Sequence, residues 1–96
     1  MRERRVVITG VGAVTPIGNS AEEFWQGLLE GRNGVDKITL FDASKHVTQF
    51  AAEVKGFDPS KYLDKKEVRR TDRFCQFALA ASKMAIEDAK LDVKSH

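Results

Sequence analysis

The sequence predicts an α/β architecture in which these 96 residues are an opening part, incomplete as an independent domain. Three observations carry this expectation. Val6-Val7-Ile8-Thr9 is a β-branched run without alternation, the pattern of a buried central strand in a parallel or mixed sheet. Ser20-Ala21-Glu22-Glu23 opens an amphipathic helix. A second, longer helix has a wide and small-faced apolar side, and a sheet of two or three strands cannot cover two such helices.

The glycine-rich stretch Gly10 to Asn19 follows the first run. Thr15 precedes Pro16 and is biased away from helical geometry, so a tight loop is expected. Ser20 then caps a helix. Its hydroxyl can accept from the Glu23 amide while the Glu23 carboxylate returns to the Ser20 amide. Phe24, Trp25, Leu28 and Leu29 form its apolar stripe, Glu22 and Glu23 suit the positive end of the helix dipole, and Gly31 terminates it. Arg32 to Val54 is less regular: Asn33-Gly34 signals a turn, and Ala51 to Val54 reads as a short strand. Asp58-Pro59 opens a turn or helix ending near Tyr62-Leu63. From Lys65 to Lys90 the residues suit a helix with one break near Thr71-Asp72, either of which could cap the second part. Phe74, Phe77, Ala78, Ala81, Met84, Ala85, Ile86 and Ala89 make its apolar face, and the alanines allow a neighbouring backbone to approach closely.

Composition narrows the function classes. With 42% apolar and 31% charged residues the chain is of ordinary globular type, and a domain of this mass folded alone should expose roughly 5,500 Å². No apolar run nears the ~20 residues of a membrane helix, so no membrane association is expected. A net charge of +2 is too balanced to argue for nucleic acid. One Cys and two His leave no disulfide framework and too few ligands for a structural zinc, so no metal or cofactor is expected. Met1 to Arg5 leads into only three apolar residues, which is not a signal peptide, and a cytoplasmic location is the expectation.

Candidate chemistry is sparse. Gly10-x-Gly12-x-x-Thr15 has the position of a dinucleotide fingerprint but lacks its third glycine, and a structural turn is the better reading. Cys75 lies among apolar residues and reads as a packed thiol; His46 and His96 have no partner in sequence. Asp42, Asp58, Asp64 and Asp72 read as turn and cap residues. No catalytic residue is assigned. The exception is a basic cluster. Between Lys61 and Arg73 six cations stand against three anions. On one helix Lys65, Lys66, Arg69, Arg70 and Arg73 would share a broad face, which is either a solvated surface or a docking patch for a phosphate or an acidic partner.

The motifs together resemble a known family. Arg5-Val6-Val7-Ile8-Thr9-Gly10-Val11-Gly12-Ala13-Val14-Thr15-Pro16-Ile17-Gly18-Asn19, then Glu23-Phe24-Trp25, Gly31-x-x-Gly34-Val35, Phe41-Asp42, Phe50-Ala51-Ala52-Glu53-Val54 and Lys66-Glu67-x-Arg69-Arg70-x-Asp72-Arg73-Phe74-x-Gln76 are similar to the opening of the β-ketoacyl-acyl-carrier-protein synthases, in particular the elongating type II. The resemblance implies that residues 1–96 are the N-terminal portion of a ketosynthase domain with no internal boundary, part of a thiolase-like fold of five layers (α-β-α-β-α). It implies a homodimeric enzyme that elongates acyl chains by decarboxylating Claisen condensation with malonyl-carrier protein in fatty acid biosynthesis. The family's Cys, two His and Lys would lie downstream, and neither Cys75 nor His46 matches their motifs, so this stretch alone should be inactive. It further implies that Lys66, Arg69 and Arg70 help receive the acidic, phosphopantetheine-bearing acyl carrier protein. Two alternatives stay open: a ketosynthase-like or chain-length subunit of a polyketide system, and a small nonenzymatic binding domain.

Overall fold

Helix α1 (Ala21–Glu30) begins and ends where its capping residues stand. Ser20 Oγ accepts from the Glu23 amide at 3.1 Å, and Gly31 closes the helix at φ 68°, a conformation in which a side chain is strained. One detail differs from the expected capping box: the Glu23 carboxylate accepts from the Asn19 amide at 3.1 Å, one residue earlier than Ser20. The segment before it is the tight turn expected, with Thr15 and Gly18 exchanging backbone hydrogen bonds of 2.8 and 3.3 Å.

A computed structural model describes residues 3–93. After α1 come β1 (Val35–Lys37) and β2 (Phe50–Ala52), antiparallel, with Val35 opposite Ala52 and Lys37 opposite Phe50. The strand expected over Ala51 to Val54 is thus present but spans Phe50–Ala52, starting one residue earlier and stopping before Glu53. Its partner in the Val35 region carries no alternating pattern and was not legible. The long connection between these strands is held by Glu53, whose carboxylate accepts from the Thr39 hydroxyl at 2.8 Å and from the Thr39 and Leu40 amides. A 3-10 turn (Pro59–Lys61), capped by Asp58, leads to α2 (Lys65–Arg70) and α3 (Arg73–Ala89).

Val6-Val7-Ile8-Thr9 departs from expectation. It is not a strand here, because a strand exists only by its ladder and no described segment pairs with it. Val6 and Ile8 are 92% and 85% exposed. Just beyond, the chain lies tightly on α3, as the alanine face permits. A Cβ added at Gly10 would stand 2.5 Å from the Ala89 nitrogen, and one at Gly12 would stand 2.8 Å from the Met84 Cβ. The Val11 amide donates to Asp88 at 3.0 Å and pins the contact.

The core remains thin. Among the described residues only Ala43, Leu63 and Ala80 are buried apolar side chains, and Trp25, Leu29 and Phe74 stay more than half exposed. The accessible surface of 8267 Å² far exceeds the ~5,500 Å² of a compact chain of this mass. The radius of gyration, 17.0 Å, exceeds the ~12.5 Å of a compact domain. The apolar faces of α1, α3 and the Val6 segment lack the covering layers of a finished domain, as an incomplete α/β unit must.

Candidate functional site: a basic platform on a short capped helix

Helix α2 has six residues, too few to persist on intrinsic propensity. Both of its ends are fastened by side chains. Asp64 Oδ1 accepts from the Glu67 amide at 2.8 Å at the start. At the other end the Thr71 hydroxyl donates to the Glu67 carbonyl at 2.6 Å. The Gln76 carboxamide, reaching back from α3, donates to the Val68 carbonyl at 3.2 Å and the Thr71 carbonyl at 3.1 Å. Gln76 is only 6% exposed and is the buried polar side chain of the described residues. Sequence reading gave no role to it, because no local pattern distinguishes a glutamine that bonds to the preceding helix from one facing water.

Lys65, Lys66, Arg69 and Arg70 stand exposed on this helix. None is in an ion pair among the described residues, where the one such pair joins Arg32 and Glu30 at 2.7 Å. The nearby aspartates do not neutralise them by direct pairing: Asp58 accepts from the Ser60 amide and hydroxyl, and Asp64 from the Glu67 amide. An open groove of about 640 Å³, with Pro59, Leu63 and Val68 in its lining and Lys65 and Arg69 beside them, runs between the 3-10 turn and α2.

Arg73 does not belong to this face. The chain breaks at Thr71, which is extended at ψ 143°, and Arg73 starts the next helix. Its guanidinium lies 4.9 Å from the Phe77 ring centroid and donates to the Val54 carbonyl at 3.4 Å. The single-helix face expected over Lys65 to Arg73 is therefore confined to α2.

Among the described residues, outside which His96 lies, the other candidates supply no reaction centre. Cys75 is half-buried on α3, and His46 meets the edge of Phe41 with ring centroids 5.7 Å apart. Asp42, Asp58 and Asp64 accept in turns and caps, whereas Asp72 holds the N-cap position of α3 without a side-chain bond. The Ser44 amide holds the Asp42 carboxyl below its usual range, and the Ser60 hydroxyl, then its amide, does the same for Asp58. These shifts belong to turns. Glu53 is likewise lowered, chiefly by the Thr39 hydroxyl. The fingerprint-like glycines face α3, and the Asp88 carboxylate occupies the Val11 amide that a phosphate would need. No cluster of metal-ligating side chains occurs among the described residues, and none of their helices is long and apolar enough to cross a membrane.

Residues 3–96 match the family model for the β-ketoacyl synthase N-terminal domain. The chain is 57% identical over 91 residues to 3-oxoacyl-(acyl-carrier-protein) synthase 2 of Synechocystis sp., covering 95% of this chain and 22% of that protein. It superposes on the ishigamide ketosynthase/chain length factor with a TM-score of 0.87 at 38% identity, covering 97% of this chain and 23% of that one. A ketosynthase solved in complex with its type II polyketide acyl carrier protein, and bound to the hexaketide, is similar with a TM-score of 0.67 at 26% identity over 94% of this chain and 23% of that one. The chain spans about a fifth of the length of these relatives.

Proposed function

The chain belongs to the β-ketoacyl synthase family, as the N-terminal domain of its thiolase-like fold, and from that premise we propose that it opens a full-length condensing subunit whose substrates arrive on an acyl carrier protein. The reaction is ketosynthase-type condensation: the carbanion released by decarboxylation of a malonyl-type unit attacks the carbonyl of an acyl group held as a thioester on an enzyme thiol, forming a carbon–carbon bond as the thioester C–S bond breaks and the enzyme thiolate leaves, with carbon dioxide as the other product. The residues of 3–93 contribute binding and scaffold, not the thiolate or the oxyanion donors that acyl transfer requires. The subunit works as a homodimer in this reading.

Lys66, Arg69 and Arg70 receive the acidic face of the carrier. The observation that carries this role is a raised density of exposed, unpaired cations on a helix fixed at both ends. Complementary charge of this kind governs encounter rate and partner choice more than final affinity. A carrier complex of a similar ketosynthase supports a partner of that chemistry. The test is reversal of Arg69 and Arg70 to Glu in the full-length subunit. The expected result is a KM for acyl-carrier protein raised at least about tenfold, with turnover of a small acyl thioester unchanged. An unaltered carrier KM in the folded variant returns the cluster to a solvated face.

The relatives divide on what is elongated. Identity with synthase 2 proteins favours fatty acid elongation. The backbone agreement with a polyketide ketosynthase/chain length factor favours a polyketide subunit, including a noncatalytic one. The residue at the nucleophile position of the full-length subunit and its products from malonyl-carrier protein separate the two.

A further inference from the structure

The geometry points to Gln76 as a positioning residue for the basic platform, an inference that rests on the docking role proposed for α2. A helix leaves its last four carbonyls without intrahelical partners, and in a helix of six residues that is most of them. Here two are taken by a chain of side chains. Thr71 donates to the Glu67 carbonyl, and Gln76 donates to the Val68 carbonyl. The Gln76 carboxamide also donates to the Thr71 carbonyl and lies 3.4 Å from the Thr71 hydroxyl. One buried carboxamide thus joins the end of α2, the extended linker residue and the first turns of α3. Because Arg69 and Arg70 are the last two residues of α2, the groups that Gln76 holds are the turn that carries them.

The consequence concerns direction rather than charge. Four cations on a frayed segment attract an acidic partner from a distance as well as four on a helix. Only the fixed turn presents them at one spacing once the partner has arrived. Loss of Gln76 should therefore leave the salt-dependent association rate intact and speed dissociation. Reversal of Arg69 and Arg70 should do the opposite.

The experiment uses the full-length subunit and its acidic carrier protein. Gln76→Leu keeps bulk and removes the donors. Amide exchange over 65–71 is expected to accelerate about thirtyfold, the equivalent of two lost hydrogen bonds of about 1 kcal/mol each. The carrier dissociation rate and carrier KM should rise several-fold, with turnover of a small acyl thioester and the salt slope of association unchanged. Gln76→Glu is the second variant. Its carboxylate faces carbonyl oxygens, so the docking defect should be worst at high pH and recede as the carboxyl protonates. Unchanged exchange over 65–71 overturns the inference, and so does an equal loss on carrier and small thioester, which marks a merely structural residue. If reversal of Arg69 and Arg70 leaves carrier binding unchanged, the docking reading falls and the inference with it, whereas a carrier defect on that reversal without one in Gln76→Leu overturns the positioning role alone.

Discussion

Replacing Gly12 by Ala in the full-length subunit tests the close packing of the N-terminal segment on α3. A methyl there would meet the Ala81 carbonyl oxygen, with the Met84 Cβ at 2.8 Å and the Ala81 carbonyl carbon at 3.0 Å. Ordinary carbon contacts lie near 3.5–4.0 Å, so the segment must lift from the helix by up to about 1 Å. Overpacking of this kind costs about 1–3 kcal/mol. Lifting also strains the hydrogen bond from the Val11 amide to Asp88, which adds about 1 kcal/mol. The expected total is about 2–4 kcal/mol. Gly56→Ala is the control: its φ of 67° disfavours a side chain, but nothing lies within 4 Å, so about 1 kcal/mol is expected. Urea midpoints of the two variants against the parent decide the matter. Ala81→Gly should not rescue Gly12→Ala, because the obstacle is the helix backbone. A Gly12→Ala loss no larger than that of Gly56→Ala refutes the argument from close approach.

Further outcomes follow from the other contacts. Expressed alone, residues 1–96 should show no sharp cooperative thermal transition by near-UV circular dichroism, and a two-state monomer would defeat the incomplete-domain reading. Ser20→Ala should cost about 1 kcal/mol by removing the cap of α1, read as a urea-midpoint shift in the full-length subunit. Glu53 has a lowered carboxyl pKa, so its contribution is present above the ordinary value of 4.5 and is lost as pH falls through the lower folded value. Amide exchange at Thr39 and Leu40, corrected for intrinsic rate, should therefore rise only below that range, and Glu53→Gln should raise it at neutral pH. Cys75→Ser should leave labelling of the full-length subunit by a thiol-directed acyl analogue intact, and loss of the adduct in a folded variant would assign Cys75 a chemical role.

Local signals were the most legible. Ser20, Gly31, Asp58 and the Thr71-Asp72 break act through neighbours a few residues away, and each marks an element boundary where expected. The alanine face of α3 announced a close neighbour, and Gly10 and Gly12 supply it. Illegible features depend on distant partners. Val35–Lys37 is a strand only because Phe50–Ala52 lies beside it, and Val6–Thr9 is none because nothing described pairs with it. The basic site was half legible: charge spacing located the cations, but it also put Arg73 on their face, although the break at Thr71 turns Arg73 onto Phe77. Gln76 and Glu53 act across 8 and 14 residues, beyond any helical or strand period.

The unpaired Val6-Val7-Ile8 segment has a consequence in time. If 91 residues are 22% of a relative, that relative is about 410 residues long, so some 320 of its residues lie outside the matched region. In a subunit of that length with the remainder made after this region, a synthesis rate of about 5–20 residues per second would leave the segment waiting up to roughly 16–64 s. Throughout that interval a β-branched, water-exposed run is a template for pairing between nascent chains. Glu3, Arg4 and Arg5 stand immediately before it, and their charges oppose stacking of one copy on another. Neutralising Arg4 and Arg5 should thus lower soluble yield during synthesis while leaving the finished subunit's unfolding midpoint unchanged.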